Sequence, residues 1–393
     1  MKKLFLTAIA AGVVGVAASA FAVDGDFEMS GHVNAGVGYQ KFSSSADAAV
    51  AGAAGANTFN GGAVQRGSIG DLTGNNGGAA GQNEFIFFVD EAELDATKSF
   101  GENIKVRADF AFGRVASGSA AAFALEQAYA TINIPVGNGM EFLLGRFDAP
   151  IGFESVERGE NTLFSHGAVF TYLRPTSFTG MKFYYPFSDM VDLHVYIVNN
   201  LRDTLTGVAF GDSVLPSFGT RVGLKWGDEG KKSTIGLSLA SGPEATDGSK
   251  MGDWSHVADL DWNVWIGESF AIGGEGIFRI DNGATGATDA RYFGGQLNLH
   301  YAFTDTWDGT LRFGYVQSRA ADADTLTGAA ASLLDGASAG KVTGMEATFG
   351  VQYHIDDNAK IQWEGRYDLV KNAATAAGNG HVYGGAVNFA YNF

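Results

Sequence analysis

The chain ends in HVYGGAVNFAYNF, residues 381–393, and this stretch alternates between two kinds of side chain. One face of the alternation carries large apolar and aromatic residues: Tyr383, Val387, Phe389, Tyr391 and Phe393. The other face is mostly small or polar. A period of two is typical of a β-strand with one apolar and one polar face. The chain therefore ends on an aromatic residue at the last position of a predicted strand.

The same alternation recurs along the whole chain. In residues 104–112, Ile104, Val106 and Phe110 oppose Lys105, Arg107 and Asp109. Comparable segments cover residues 29–40, 218–226, 293–303, 345–355 and 361–369, and their second faces carry charges, amides or glycine. A soluble β-sandwich also alternates, so the strands alone do not distinguish a sandwich from a membrane barrel.

The connections between the strands do distinguish them, because short and long connections alternate. The short ones are 99–103, 135–139, 187–190, 227–232, 267–269, 304–306 and 356–359. The long ones are 42–83, 115–123, 149–178, 200–217, 242–253, 281–290, 319–340 and 372–380. Tight turns at one end and long loops at the other are typical of bacterial outer-membrane barrels. The pattern predicts an all-β fold, a transmembrane antiparallel β-barrel of about 16 strands with long extracellular loops.

Composition agrees with a barrel and excludes other classes. There is no cysteine, so disulfides and thiolate metal sites are excluded. The formal net charge of -17 argues against nucleic acid as a partner, because phosphate binding needs a basic surface. Mean hydropathy is +0.01, as expected when each strand shows only one face to lipid.

The first residues predict a secretory signal peptide. Lys2 and Lys3 precede an apolar run over residues 4–16, and Ala20-Phe21-Ala22 forms a small-x-small cleavage site. The alternative, a retained N-terminal anchor, fits less well because the run is short for a bilayer. We expect residues 1–22 to be removed on export, leaving 23–393 as a single barrel domain in the outer membrane of a Gram-negative bacterium.

The C-terminal strand must pair with the first strand, because an open sheet edge in lipid leaves backbone groups unsatisfied. Its ending resembles the C-terminal signal of outer-membrane barrels, carried here by Phe389, Tyr391 and Phe393. This resemblance implies the barrel-assembly machinery as a partner. An ordinary edge strand that happens to end in Phe is the alternative.

The third long connection interrupts the alternation. It lies within GRFDAPIGFESVERGENTLFSHGAVFTYLRPTSFTG, residues 145–180. Residues 168–173 could form another strand, but a seventeenth strand would put the termini at opposite ends, so we expect a loop. Its apolar side chains, including Ile151, Phe153 and Phe164, need a surface to pack on, and the barrel lumen provides one.

This combination resembles the general bacterial porins, in which the third loop folds inward and narrows the channel. The stretch GRFDAPIGFESVERGENTLFS followed by RPTSFTG is similar to the OmpL-like group of β-barrel porins. The resemblance implies an outer-membrane porin, a passive diffusion channel for small hydrophilic solutes and ions, with loop 149–178 as the pore constriction. By analogy it also implies a homotrimer, with outer-membrane lipid, lipopolysaccharide and small polar solutes as partners.

The alternation places basic residues on the inner wall: Lys105, Arg107, Arg221, Arg279, Arg312 and Arg366. The resemblance implies that they face charged residues of the constriction loop, namely Glu154, Glu157, Arg158 and Glu160. The alternative is that these charges keep the lumen hydrated and pair across strands. The net acidity favours cations in the pore.

No catalytic, cofactor or metal site is predicted. Neither H-E-x-x-H nor G-x-S-x-G occurs, and GNNGGAAG, residues 74–81, lacks the strand, helix and lysine of a phosphate-binding loop. We therefore expect a protein that is not an enzyme. A structural or adhesive barrel, with the first loop at 42–83 meeting a partner, or a sheath around a partner protein, is the alternative function.

Overall fold

The computed structural model describes residues 27–42, 83–113, 123–201, 215–228, 230–243, 254–282, 290–320, 340–372 and 379–393. The predicted signal peptide and nearly all of the first long loop lie outside these residues. The described residues form sixteen strands: β1 Phe27–Phe42, β2 Asn83–Phe100, β3 Ile104–Gly113, β4 Phe123–Ile134, β5 Met140–Asp148, β6 Ser177–Pro186, β7 Val191–Val198, β8 Ser217–Trp226, β9 Ser233–Pro243, β10 Trp254–Ile266, β11 Phe270–Asp281, β12 Ala290–Ala302, β13 Trp307–Ala320, β14 Gly340–His354, β15 Ala359–Asn372 and β16 Asn379–Asn392.

The strands close into one antiparallel barrel in which each strand pairs with its neighbours in sequence and β1 pairs with β16. The register of this seam runs from His32 opposite Asn392 to Phe42 opposite Val382. At its end, the Phe393 amide donates to the Gly31 carbonyl at 2.9 Å, and the Gly31 amide donates to the Phe393 carbonyl at 3.1 Å. The predicted barrel, its strand number and its closure are confirmed.

The barrel is apolar outside and polar inside. In β10, Leu260 is 46% exposed, whereas its neighbours Asp259 and Asp261 are 1% and 4% exposed. In β16, Phe389 is 44% exposed on the outer face and Asn388 is buried on the inner face. This distribution is the reverse of a soluble β-sandwich, whose apolar faces pack together. An outer face of this kind suits lipid hydrocarbon.

The short connections lie at one end of the barrel and are tight turns. Gly101, in the turn from β2 to β3, has φ 62°, and Gly267, in the turn from β10 to β11, has φ 67°. This left-handed conformation favours glycine because a Cβ atom would be strained there. Large aromatic side chains near this end are exposed on the outer face, among them Phe100, Phe303 and Trp307. Rings at this level suit the lipid–water boundary.

The connection between β5 and β6 contains the only helices among the described residues. A 3-10 turn covers Arg158–Glu160, and a short helix, α1, covers Ala168–Tyr172. Residues 168–173 are therefore not a strand, which agrees with the expectation of an even number of strands. Most of them are helical, whereas a loop without helix was expected. Within the described part of the chain, no helix has both the length and the hydropathy needed to cross a bilayer.

We expect that placing a charge on the outer face will destabilise the barrel. Leu260 lies at the middle of β10, so Leu260→Arg should lower the free energy of unfolding in lipid by about 2–4 kcal/mol, because arginine at the bilayer midplane costs that much. The measurement is denaturant unfolding in liposomes, with Leu260→Ile as the matched control. Equal stability of the two variants would contradict an outer face in hydrocarbon.

Candidate pore constriction

The connection between β5 and β6, residues 149–176, folds into the barrel. Its side chains Ile151, Val169 and Leu173 are at most 3% exposed. They join a buried apolar cluster with inner-wall residues of several strands, including Phe147, Phe178, Tyr196, Val257, Ile277, Tyr292 and Val316. Burying such a side chain stabilises by about 1.5–3 kcal/mol. Hydrophobic packing of the kind found in a soluble core therefore holds this loop in the lumen.

The first part of the loop is bound to the wall through its backbone. The Gly152 amide donates to Asp259 Oδ1 at 3.1 Å, and the Phe153 amide donates to Glu275 Oε2 at 2.5 Å. Both carboxylates are 1% exposed. Buried polar groups are stable when they are hydrogen-bonded, so these two wall acids fix the path of the loop beside β10 and β11.

Arg312 of β13 forms the central attachment of the loop. Its side chain is fully buried, and Nη1 donates to Glu154 Oε1 at 2.8 Å and to the Ser165 carbonyl at 2.6 Å. Its Nε pairs with Glu346 of β14. One guanidinium group thus joins two separate parts of the loop to the wall.

Arg366 of β15 extends this network. Its Nη1 donates to the His166 carbonyl at 2.6 Å, and its Nη2 pairs with Glu346 Oε2 at 3.0 Å. Asp368 pairs with its Nε at 2.9 Å. The Ala168 amide, at the start of α1, donates to the same Glu346 oxygen at 2.6 Å. Buried charges are stable only when paired and hydrogen-bonded, and here the loop supplies several of the required partners.

The far end of the loop reaches β15 and β1. Lys360 Nζ donates to the Gly159 carbonyl at 2.8 Å and to the Asn161 carbonyl at 3.2 Å. Glu157 Oε2 lies 3.8 Å from His32 Nδ1 on β1. The loop therefore crosses the lumen from its root at β5 and β6 to the seam of the barrel.

The predicted wall residues occupy three different environments. Arg312 and Arg366 are covered by the loop and hold it in place. Three others pair with acids of the wall: Arg107 with Asp109 at 2.7 Å, Arg279 with Asp281 at 2.8 Å, and Arg221 with Asp261. Lys105 is exposed near the start of β3. Of the wall arginines proposed to face loop acids, Arg312 does so by direct contact with Glu154.

The four predicted constriction residues also differ in their exposure. Glu154 and Arg158 are buried, at 5% and 3% exposure. Glu157 points toward β1. Glu160 is exposed and accepts a hydrogen bond from Ser155 Oγ at 2.5 Å. Their roles in conduction stay predictions, and Glu160 is the member most accessible to a passing solute.

Several residues that hold the loop were not predicted as site residues. Alternation places Glu346 and Glu364 on the inner wall, but nothing in their strands indicates that the loop amides of Ala168 and Ser165 bind them. His166 is fully buried and stacks on Phe170 at 3.6 Å between ring centroids. These contacts depend on the path of the backbone, which has no period that sequence analysis could detect.

Comparisons with known proteins agree with this architecture. The family described as "Putative beta-barrel porin-2, OmpL-like" matches residues 26–393. An anion-selective porin from Comamonas acidovorans is 14% identical, with a TM-score of 0.60, and the alignment covers 94% of this chain and 100% of that one. The outer membrane channel DcaP of Acinetobacter baumannii is 14% identical, with a TM-score of 0.59 and coverage of 94% and 97%.

The trimer form of OmpT, an outer membrane protein of Vibrio cholerae, is 10% identical, with a TM-score of 0.55 and coverage of 94% and 99%. No curated protein gave a significant match. At these identities the solved structures show the fold alone, whereas the family match extends over the entire barrel. The chain therefore belongs to the OmpL-like family of β-barrel porins and is a porin-type barrel of the Gram-negative outer membrane.

Proposed function

We propose that the chain is a passive diffusion channel for small hydrophilic solutes and ions, and that the loop predicted at 149–178, which the structure bounds at 149–176 because β6 begins at Ser177, forms its constriction. The observation that supports this most directly is the loop bound inside a closed barrel through Arg312 and Arg366. Barrels of sixteen strands are too wide to be filled by wall side chains and leave an aqueous channel. A loop fixed across such a lumen narrows it, and no catalytic step is part of the proposal.

We propose further that the channel prefers cations. The formal net charge is -17, and the wall arginines Arg107, Arg221, Arg279, Arg312 and Arg366 all have a carboxylate within ion-pair distance. Acidic residues outnumber basic ones in the chain, 43 to 26, and rings of acids concentrate cations. The anion selectivity in the name of the Comamonas porin belongs to that protein, because 14% identity carries only the fold.

The cellular setting is also part of the proposal. Residues 1–22 direct export and are cleaved, and 23–393 form the single barrel domain. Phe389, Tyr391 and Phe393 form the signal for the assembly machinery, and all three are exposed on the outer face. Lipopolysaccharide surrounds the loop end. A homotrimer is proposed by analogy, since a neighbour of the same fold is described in a trimer form.

The proposal predicts discrete, ohmic conductance steps when the purified mature protein is inserted into planar bilayers. The reason is that a water-filled lumen conducts ions without a gating partner. The control is the same protein, heat-denatured before it is added to the bilayer. Folded protein that inserts but stays silent would contradict the channel and favour the structural or sheath alternative.

Glu160 provides a test of the constriction. Glu160→Lys should lower the cation-to-anion permeability ratio about two- to fivefold, since a unit charge a few ångströms from an ion in water contributes about 1 kcal/mol. Reversal potentials in a salt gradient measure the ratio. Glu268→Lys, at the exposed turn between β10 and β11, is the matched charge reversal. If both variants change the permeability ratio equally, Glu160 does not line the constriction.

Arg312 provides a test of loop attachment. Arg312→Met leaves Glu154 buried without its ion-pair partner and leaves Glu346 with Arg366 alone, and breaking a buried pair costs about 3–5 kcal/mol. We expect the loop to detach, with larger and noisier single-channel steps while the barrel still resists SDS at room temperature. Arg319→Met, an exposed arginine on the same strand, is the control. Unchanged conductance in a folded Arg312→Met variant would contradict this role.

A further inference from the structure

A group of acidic side chains faces the lumen on β2, opposite the tip of the loop. Glu91, Glu93 and Asp95 occupy alternate positions of this strand, and Glu91 and Glu93 are each 3% exposed. In the strand register Glu93 lies opposite His32 of β1. His32 Nε2 is 3.0 Å from Glu91 Oε2, so the histidine binds the first acid of the group.

A register shift adds another acid to the same group. The pairing of β3 with β4 passes from Asp109 opposite Gln127 to Phe110 opposite Leu125, which leaves Glu126 as the extra residue of a bulge. Glu126 and Gln127 are consecutive, yet both are only 7% exposed. A bulge can re-aim a side chain in this way. Simple alternation would place only one of these two residues inside.

The carboxylates lie at distances that suit shared coordination. Glu91, Glu93 and Glu126 each offer one oxygen, and these oxygens lie within 4.8 Å of one another. The same limit holds for ligand atoms of His32, Glu93 and the loop residue Glu157. Oxygens bound to one Ca²⁺ at about 2.3–2.6 Å are separated by at most about 5 Å. Glu93 belongs to both sets and is their common member.

Other carboxyl groups surround Glu93. Its Oε2 is buried without a hydrogen-bond partner, and its interacting neighbours are the carboxyl groups of Glu157, Glu126 and Asp95. The nearby Arg107 is bound to Asp109 at 2.7 Å. A buried carboxylate beside other carboxylates is costly unless a cation or a proton joins it.

We propose that Glu93, with Glu91 and Glu126, binds a divalent cation of the calcium class on the inner wall, beside Glu157 of the loop. Three carboxylate oxygens form a hard ligand set, which Ca²⁺ prefers. The bound cation would attach the loop to β2 through Glu157, whereas the Arg312 network attaches it to β13, β14 and β15. This replaces the sequence-based expectation of no metal site and goes beyond the proposed channel function, since binding requires no transport.

The test is calcium titration of the detergent-purified, EDTA-treated protein by isothermal calorimetry, together with thermal unfolding with and without calcium. We expect one site with a Kd of about 10⁻⁴–10⁻³ M, the range of exposed extracellular sites, and a higher unfolding temperature in calcium. Glu93→Gln should weaken binding at least tenfold and abolish the temperature shift. Glu126→Gln should weaken binding as well and serves as a second variant if the first fails to fold.

The matched control is Asp192→Asn, an equal charge change at a buried inner-wall acid of β7 that pairs with Lys225 at 3.2 Å. This variant should bind calcium as the unmodified protein does. Absence of heat and of a temperature shift in the unmodified protein at about 10 mM calcium would overturn the site and indicate that the carboxyls share protons. If the protein binds zinc but not calcium, the calcium assignment is wrong. If Asp192→Asn weakens calcium binding as much as Glu93→Gln does, binding depends on the total charge of the lumen and not on this site.

Discussion

Lipid hydrocarbon offers no hydrogen-bond partner to a peptide group, and this constraint determines the whole architecture. Every N–H and C=O of a spanning strand must find a partner in a neighbouring strand, so the sheet has to close on itself. The seam between β1 and β16 completes that closure up to the last residue, where Phe393 and Gly31 exchange both backbone hydrogen bonds. The aromatic ending then follows, because the final side chain lies on the outer face at the lipid boundary.

Closure of the barrel places charged side chains around the lumen. The loop between β5 and β6 therefore has a polar surface to which it can bind. The loop meets that surface in two ways. Its apolar residues, such as Val169 and Leu173, build a core inside the barrel. Its backbone amides and Glu154 take part in the ion network of Arg312 and Arg366. The apolar packing supplies free energy, whereas the buried ion pairs fix one position, since a displaced loop would leave them unpaired.

The periodicity of the sequence was sufficient to predict the barrel but not the contacts that hold the loop inside it. The alternation and the two classes of connection predicted the strands and their even number, because these depend on a period of two and on chain length. The inward path of the third loop was predicted from its apolar side chains and from the resemblance to porins. They did not predict the helix at Ala168–Tyr172, or that Arg366 would lie beneath the loop. Nor did they predict that Glu126 faces inward, because a bulge interrupts the period. The position of the loop depends on contacts between residues about 150 to 200 positions apart, as between Arg312 and Glu154 or Arg366 and His166.

The Pro-Ile-Gly segment, residues 150–152, has a physical role in that attachment. Gly152 has φ 88°, and a Cβ atom built on it would lie 2.6 Å from Glu275 Oε2 and would also collide with Arg174. That Glu275 oxygen is the one that accepts the Phe153 amide. Any larger residue at 152 would push the loop off the acid that holds it. The contact between loop and wall therefore depends on the absence of a side chain at position 152 as much as on the charged residues around it.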